Sequence, residues 1–204
     1  GNLHSSVLEE FMYFLFRDLV ASISTNALIG KSHSFKDIFF RAPNYESMLS
    51  APNALVEIKD HDFSIGTSIA TKMTCRGVAE PEVHNWDIPA VAIECKTYLD
   101  KTMLQDVSTA AEQLKQKNPN AMYIVVAEWL KLTESVNLKK YKVDQIYVLR
   151  KQKNTDREFR YDEGYEKNPI YEDVVQHLFT NIRNFLTSDW EGGILHGLNK
   201  GYLI

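Results

Sequence analysis

The chain lacks the features that would mark several large protein classes. Its 204 residues hold two cysteines, Cys75 and Cys95, too few for a disulfide scaffold and in keeping with a reducing cytoplasm. No stretch approaches the roughly 18 consecutive apolar residues of a membrane span, and no charged-then-apolar leader opens the sequence. The chain carries no Asn-x-Ser/Thr sequon. It also has no Gly-x-Ser-x-Gly elbow, so an acyl-transfer hydrolase finds no support. Cys75, Cys95, His61 and His84 are scattered without the paired spacing of a structural zinc site. Gly30-Lys31-Ser32 has Thr25 where a phosphate loop needs its first glycine, and a helical stretch rather than a strand precedes it. Gly1 in place of an initiator Met leaves room for an upstream extension.

An overall excess of positive charge is also missing, since the formal net charge is −4. Its distribution is uneven. Residues 139–160 carry eight basic side chains (Lys139, Lys140, Lys142, Arg150, Lys151, Lys153, Arg157, Arg160) against Asp144, Asp156 and Glu158, a local +5 that leaves −9 elsewhere. Charge segregated in this way can serve a phosphate backbone on one face, or it can simply be a solvated surface.

With 44% hydrophobic and 25% charged residues, the composition is that of a globular chain, long enough to bury one substantial core. A single domain over 1–204 is expected, with 187–204 a loosely structured, Gly-rich tail. Apolar side chains at Leu8, Phe11, Met12, Leu15, Leu19 and Ile23 recur at helical spacing. Residues 30–52 read as mixed and loop-like, broken by Pro43 and Pro52, with a short helix near Ser34 to Phe40. Long strands rich in β-branched residues follow at 54–74 and 86–96, separated by a turn containing Gly77 and Pro81. A helix over 102–116, a buried strand over 121–129 and a short strand over 144–149 come next. Asn168-Pro169 is expected to open the last helix, with Glu172 and Asp173 in its first turn. The order α-β-β-α-β-β-α implies an α/β fold, a mixed sheet flanked by helices.

Chemistry concentrates at the end of the second strand, Ile93-Glu94-Cys95-Lys96. Alternation puts Glu94 and Lys96 on one face and Cys95 on the other. Two charges sharing a face of an otherwise apolar sheet are costly without a purpose, which a structural ion pair or a site would supply. If the two long strands form a hairpin with its turn centred on Val78, Asp62 lies opposite Glu94. That register is compatible with the pattern rather than dictated by it. Facing carboxylates repel unless a cation lies between them, and hard oxygen ligands select Mg²⁺. The Cys95 carbonyl is a further candidate ligand.

Asp62, then Glu94-Cys95-Lys96 closing an apolar strand, then a helix, resembles the PD-(D/E)XK nuclease superfamily over roughly residues 5–150. Within it, Lys59-Asp60-His61-Asp62-Phe63-Ser64-Ile65-Gly66 together with Ile93-Glu94-Cys95-Lys96 is similar to subunits of heterodimeric, BbvCI-type (Type IIT) restriction endonucleases. His61 stands in the place of the motif's proline, and 31 residues separate Asp62 from Glu94. Asp87 is the rival first acid. It lies seven residues before Glu94, on the opposite face of a regular strand unless a bulge near Pro89 intervenes.

The resemblance implies a restriction-endonuclease-like fold and a Mg²⁺-dependent Type II restriction endonuclease cutting one strand per site, in the cytoplasm. Double-stranded DNA and a second nuclease subunit, identical or different, are the implied partners. Asp62 and Glu94 would hold the metal, with Cys95 through its carbonyl. Lys96 would orient or deprotonate the attacking water, or stabilise the transition state. Gln113 falls where related nucleases sometimes place a supporting polar residue. From the basic segment, Arg150, Lys151, Lys153 and Arg157 are candidates for DNA contact, with Lys31–Lys36 and the hairpin tip at Lys72–Arg76 as alternatives. A non-catalytic DNA-binding or assembly domain, using Glu94 and Lys96 as a structural pair, is the competing reading.

Overall fold

A computed structural model describes residues 2–153, 166–190 and 192–204. One five-stranded sheet, ordered β1-β2-β3-β4-β5, organises these residues. Helix α1 (Asn2–Ile23) covers one face. Its Leu8, Met12, Phe16 and Val20 repeat every four residues and are all buried, the spacing that aligns side chains on one helical stripe. Strand β1 (Leu28–Phe40), the short helix α2 (Tyr45–Ser50), β2 (Ala54–Met73) and β3 (Glu82–Leu99) follow. Helix α3 (Lys101–Lys117) crosses over to β4 (Met122–Leu130). Beyond it lie a 3₁₀ turn (Leu138–Lys140), β5 (Gln145–Val148), α4 (Glu172–Thr187) and α5 (Gly193–Lys200).

β1 to β3 pair antiparallel in sequence, whereas β3, β4 and β5 are parallel. The sheet separates two cores. Phe63, Ile65, Val91, Ile93, Cys95, Ile124 and Val126 pack against α1 and α4 on one face. Ala92, Tyr123, Val125 and Ala127 pack against Leu104, Val107, Ala111 and Leu114 of α3 on the other. β3 and β4 are buried on both faces, the reason they read as nearly continuous apolar runs. Asp100 caps α3 by accepting a hydrogen bond from the Met103 amide at 2.8 Å.

The α/β class and the mixed, helix-flanked sheet match the expectation, with three corrections. First, Leu28–Phe40 is a strand, not loop and helix. Its inward positions are Ser32 and Ser34, at 0% and 1% exposure, while Phe39 and Phe40 face out. The hydroxyls satisfy one another, Ser32 Oγ lying 2.7 Å from Ser64 Oγ and 3.2 Å from Ser34 Oγ, so the pattern of a buried face is inverted. Second, the expected loose tail contains α5, whose Ile194, Leu195 and Leu198 are exposed and whose end is closed by Gly201 at φ 85°. Third, the last long helix opens at Glu172 with Tyr171 as N-cap, three residues beyond Pro169.

The hairpin register matters most for the site. Phe63 pairs with Ile93, Ser64 with Ala92 and Ile65 with Val91, the register that places Asp62 against Glu94. Toward the turn the ladder slips by one residue, because Gly66 pairs with Pro89 and leaves Ala90 as a bulge. Gly66 is required there. A Cβ would collide with the Ile88 carbonyl oxygen and sit 2.8 Å from the Pro89 Cα. Pro89 is tolerated inside a paired strand because it sits at this bulge, and its carbonyl accepts from Asn118 Nδ2 at 2.8 Å.

Candidate active site at the fork of the sheet

The β2–β3 ladder stops at Phe63–Ile93. Below that point β2 continues with β1 alone, from Ser32–His61 to Phe40–Ala54, while β3 continues with β4 to Leu99–Leu130. The sheet therefore forks, and Asp62 and Glu94 stand at the fork. Where the next ladder bond would fall, the Cys95 amide donates instead to Asp62 Oδ2 at 2.9 Å. In an extended strand the N–H and C=O of one residue face the same neighbour, so the Cys95 carbonyl also faces the β2 side.

A second bulge shapes the site. Gly30 pairs with Ser64 but Ser32 pairs with His61, so Lys31 alone opposes Asp62 and Phe63. The alternation of β2 breaks here, and two consecutive residues, His61 and Asp62, both reach Glu94. His61 Nδ1 lies 3.3 Å from Glu94 Oε1, and Asp62 and Glu94 share a side-chain hydrogen bond. From β4, the Tyr123 hydroxyl donates to Glu94 Oε1 at 2.8 Å and lies 3.2 Å from His61 Nδ1. The two rings meet edge to face, with centroids 5.5 Å apart.

Electrostatics follow from this crowding. Burial, then the negative charge of Glu94, pushes the Asp62 carboxyl up to about 7. Lys96 and the Cys95 amide work in the opposite direction without prevailing. Burial also disfavours ionised Glu94, but hydrogen bonds from His61, Asp62 and Tyr123 outweigh it and hold that carboxyl below its ordinary value. Asp62 therefore takes up a proton as pH falls through about 7, while Glu94 stays ionised. The Tyr123 hydroxyl is pushed far up by burial and by the adjacent Glu94 charge, so it remains a donor. On the other face, burial raises the Cys95 thiol, which belongs to the α1 core and takes no part in the site.

These residues suit a hard divalent cation. A pair of carboxylates that retains a proton lacks positive charge, and a cation would replace that proton. Among the described residues, no group of three or more His, Cys, Asp or Glu side chains is arranged to hold a metal. Mg²⁺ commonly takes only one or two carboxylates, completing its shell with water and phosphate oxygen, so two carboxylates and a carbonyl fit it.

The other sequence candidates distribute as follows. Lys96 is partly buried on the strand of Glu94, and its charge reaches Asp62. Gln113 of α3 lines a small pocket with Lys36, Lys59 and His61, one side chain removed from Glu94. Asp87, the rival first acid, lies away from the fork. The bulge near Pro89 does occur, yet seven strand residues still separate Asp87 from Glu94 by about 20 Å. Its oxygens are also spent on the His33 amide and the Ser68 hydroxyl, both at 2.7 Å.

Arg150, a candidate for DNA contact, is engaged within the fold. Its Nε and Nη2 hold Glu128 Oε1 at 3.2 and 3.1 Å, its Nη1 donates to the Asn168 carbonyl at 2.7 Å, and it lies over the Trp129 ring. Lys151 is exposed but pairs with Asp173 at 2.6 Å. Lys153 is exposed beside the end of β4, and Arg157 lies outside the described residues.

In the sequence His61 stands out as a scattered histidine and a departure from a motif, and Tyr123 does not stand out at all. A phenol in an otherwise apolar, doubly buried strand was the available signal, since a buried hydroxyl needs a partner.

Comparison with known proteins agrees with this fold. The family model for the Bpu10I restriction endonuclease matches residues 2–203. A solved structure, the native BbvCI A2B2 tetramer at low resolution, superposes with a TM-score of 0.62 at 21% identity. The match covers 79% of this chain and 61% of that one, so the chain spans under two thirds of the protein it resembles. No curated protein sequence matches.

Proposed function

The chain belongs to the Bpu10I restriction endonuclease family, and from that premise we propose that it is a Mg²⁺-dependent subunit of a Type II restriction endonuclease that hydrolyses one DNA strand at the Asp62–Glu94–Lys96 site. The observation that carries the reading is the fork, where two carboxyl groups face each other with a lysine beside them. Asp62, Glu94 and the Cys95 carbonyl would hold the ion. When bound, Mg²⁺ neutralises charge at the scissile phosphate and acidifies a coordinated water.

The chain's own groups account for the remainder. Asp62 must lose its proton for the site to load, and the Lys96 charge favours that loss. Lys96 then orients the attacking water or stabilises the charge that develops on the phosphate. Lys36 and Lys59, around the pocket that reaches His61, are placed to balance phosphate charge nearby.

One such site cuts one strand, so double-strand cleavage calls for a second nuclease subunit. The A2B2 composition of the structural relative favours a different chain as partner. Double-stranded DNA is the substrate, and the cytoplasm, where DNA and free Mg²⁺ are found, the compartment. Among the described residues no helix is long and apolar enough to cross a membrane.

The test is plasmid cleavage by this chain assembled with its partner subunit. Full cleavage is expected with Mg²⁺ and none with EDTA, and Lys96→Glu should convert the cutter into a nicker. Unaltered double-strand cleavage by Lys96→Glu would remove Lys96 from catalysis and favour an assembly role for this subunit.

A further inference from the structure

We infer that Tyr123 and His61 are positioning residues that clamp one oxygen of Glu94 and so fix the carboxylate in the orientation that binds the metal. The inference rests on the proposed metal site and adds to it two side chains from strands other than that of Glu94. Tyr123 comes from β4, and its ring and hydroxyl are wholly buried. His61 comes from β2 and is 2% exposed. Both converge on the same atom, Glu94 Oε1, at 2.8 and 3.3 Å, which leaves Oε2 clear of them.

The proton count of the trio is determined by its geometry. A phenol has a single hydrogen, and a carboxylate is the strongest acceptor within reach, so that hydrogen lies on the Tyr123–Glu94 line. The Tyr123 oxygen then offers only lone pairs toward His61 Nδ1, 3.2 Å away. A bare Nδ1 would set its own lone pair against two acceptor oxygens. Nδ1 must therefore carry the hydrogen and share it between the Tyr123 hydroxyl and Glu94 Oε1. Two donors fix one oxygen, and neither can rotate away. The Tyr123 amide is tied to Asp144 Oδ2 at 2.7 Å, which is in turn paired with Lys115. His61 is held by the bulge opposite Lys31.

Without these two donors on Oε1, the Glu94 carboxylate could swing about its last bond. A cation must then select the binding rotamer from several, which weakens affinity in proportion to the fraction in the right state. Outer partners of this kind typically contribute 10–100-fold in metal affinity. The clamp also explains why His61 replaces the proline of the motif. Proline has no donor to give, whereas the bulge turns this position toward Glu94.

The experiment is a Mn²⁺ titration of the chain without DNA, read by the electron paramagnetic resonance of free Mn²⁺, with the unfolding temperature in EDTA measured in parallel. Tyr123→Phe keeps the ring and should raise the Mn²⁺ dissociation constant about tenfold. His61→Ala should do the same, while His61→Asn, whose amide nitrogen replaces Nδ1, should retain most of the wild-type affinity. Glu94→Gln separates the two levels of inference. If it abolishes binding while Tyr123→Phe and His61→Ala bind as wild type, the clamp is refuted and the metal site stands. If wild type fails to bind Mn²⁺, or Glu94→Gln binds as well as wild type, the metal site itself is refuted. Equal affinities for His61→Ala and His61→Asn would reject the hydrogen-bonding role of His61. If Tyr123→Phe proves unfolded in EDTA, the two His61 variants decide the matter.

Discussion

Replacing Asp62 by asparagine should make the metal-free protein more stable and unable to load its metal. Below about pH 7 Asp62 holds a proton, shares a hydrogen bond with Glu94 and accepts from the Cys95 amide. Asparagine copies that state, because its amide nitrogen donates where the acid proton did and its oxygen accepts from Cys95. In the unfolded chain Asp62 titrates near its ordinary value of 3.8, against about 7 in the fold. A carboxyl whose folded value is raised supports the fold fully below the unfolded value and loses that contribution as pH rises toward the folded one. Wild type should therefore lose stability between about pH 4 and pH 7, and the variant should not. Taken at face value the displacement is worth roughly 4 kcal/mol at 1.36 kcal/mol per factor of ten. Solvent reaches part of this side chain and cuts the figure to about 2 kcal/mol. Urea unfolding in EDTA at pH 5, 6, 7 and 8 measures it. Asp62→Asn and wild type should differ least at pH 5, and the gap should widen to pH 7 and stay level above. A gap that is absent at pH 8, or the same at every pH, would refute the reasoning. With Mn²⁺ present the order should reverse, since only wild type gains binding energy from the ion.

Arg150→Ala should destabilise the fold by roughly 3–5 kcal/mol in thermal or urea unfolding, because it removes the guanidinium held against the buried Glu128 carboxylate; a loss below about 1 kcal/mol would return Arg150 to the surface. Gly66→Ala should cost more than about 2 kcal/mol, since the Ile88 carbonyl and Pro89 backbone leave no room for a Cβ; circular dichroism melts check this. Lys153→Ala should flatten the log–log salt dependence of DNA affinity by about 0.9, one phosphate contact. Lys151→Ala should change it less, because Lys151 is already paired with Asp173. Two equal slopes, each unchanged from wild type, would assign both lysines to solvent.

Much of the architecture lay in local pattern, because the physics that sets it is local. The four-residue stripe of α1, the β-branched runs of β2 and β3 and the Asp100 cap each depend on near neighbours in sequence. The pairing of Asp62 with Glu94 was compatible with that pattern, and the ladder from Phe63–Ile93 fixes it. β1 was hidden for a different reason. Its inward residues are serines that satisfy each other's hydroxyls across to Ser64, a partnership made 32 residues away and invisible to any hydrophobic period. Arg150 misled in the same way: its charge was legible, but the buried Glu128 and Asn168 carbonyl that consume it belong to other segments.

The sequence by itself determined that Glu94 and Lys96 share one face of their strand, since alternation places them, while the register that sets Asp62 opposite was compatible with it and not dictated by it. Only the tertiary structure decided how they behave. The bulge opposite Lys31 turns His61 toward Glu94, the arrival of β4 brings the Tyr123 hydroxyl to the same oxygen, and burial at the fork pushes the Asp62 carboxyl up. Those effects depend on dielectric and on contacts among three strands far apart in the chain, which no pattern along one strand encodes.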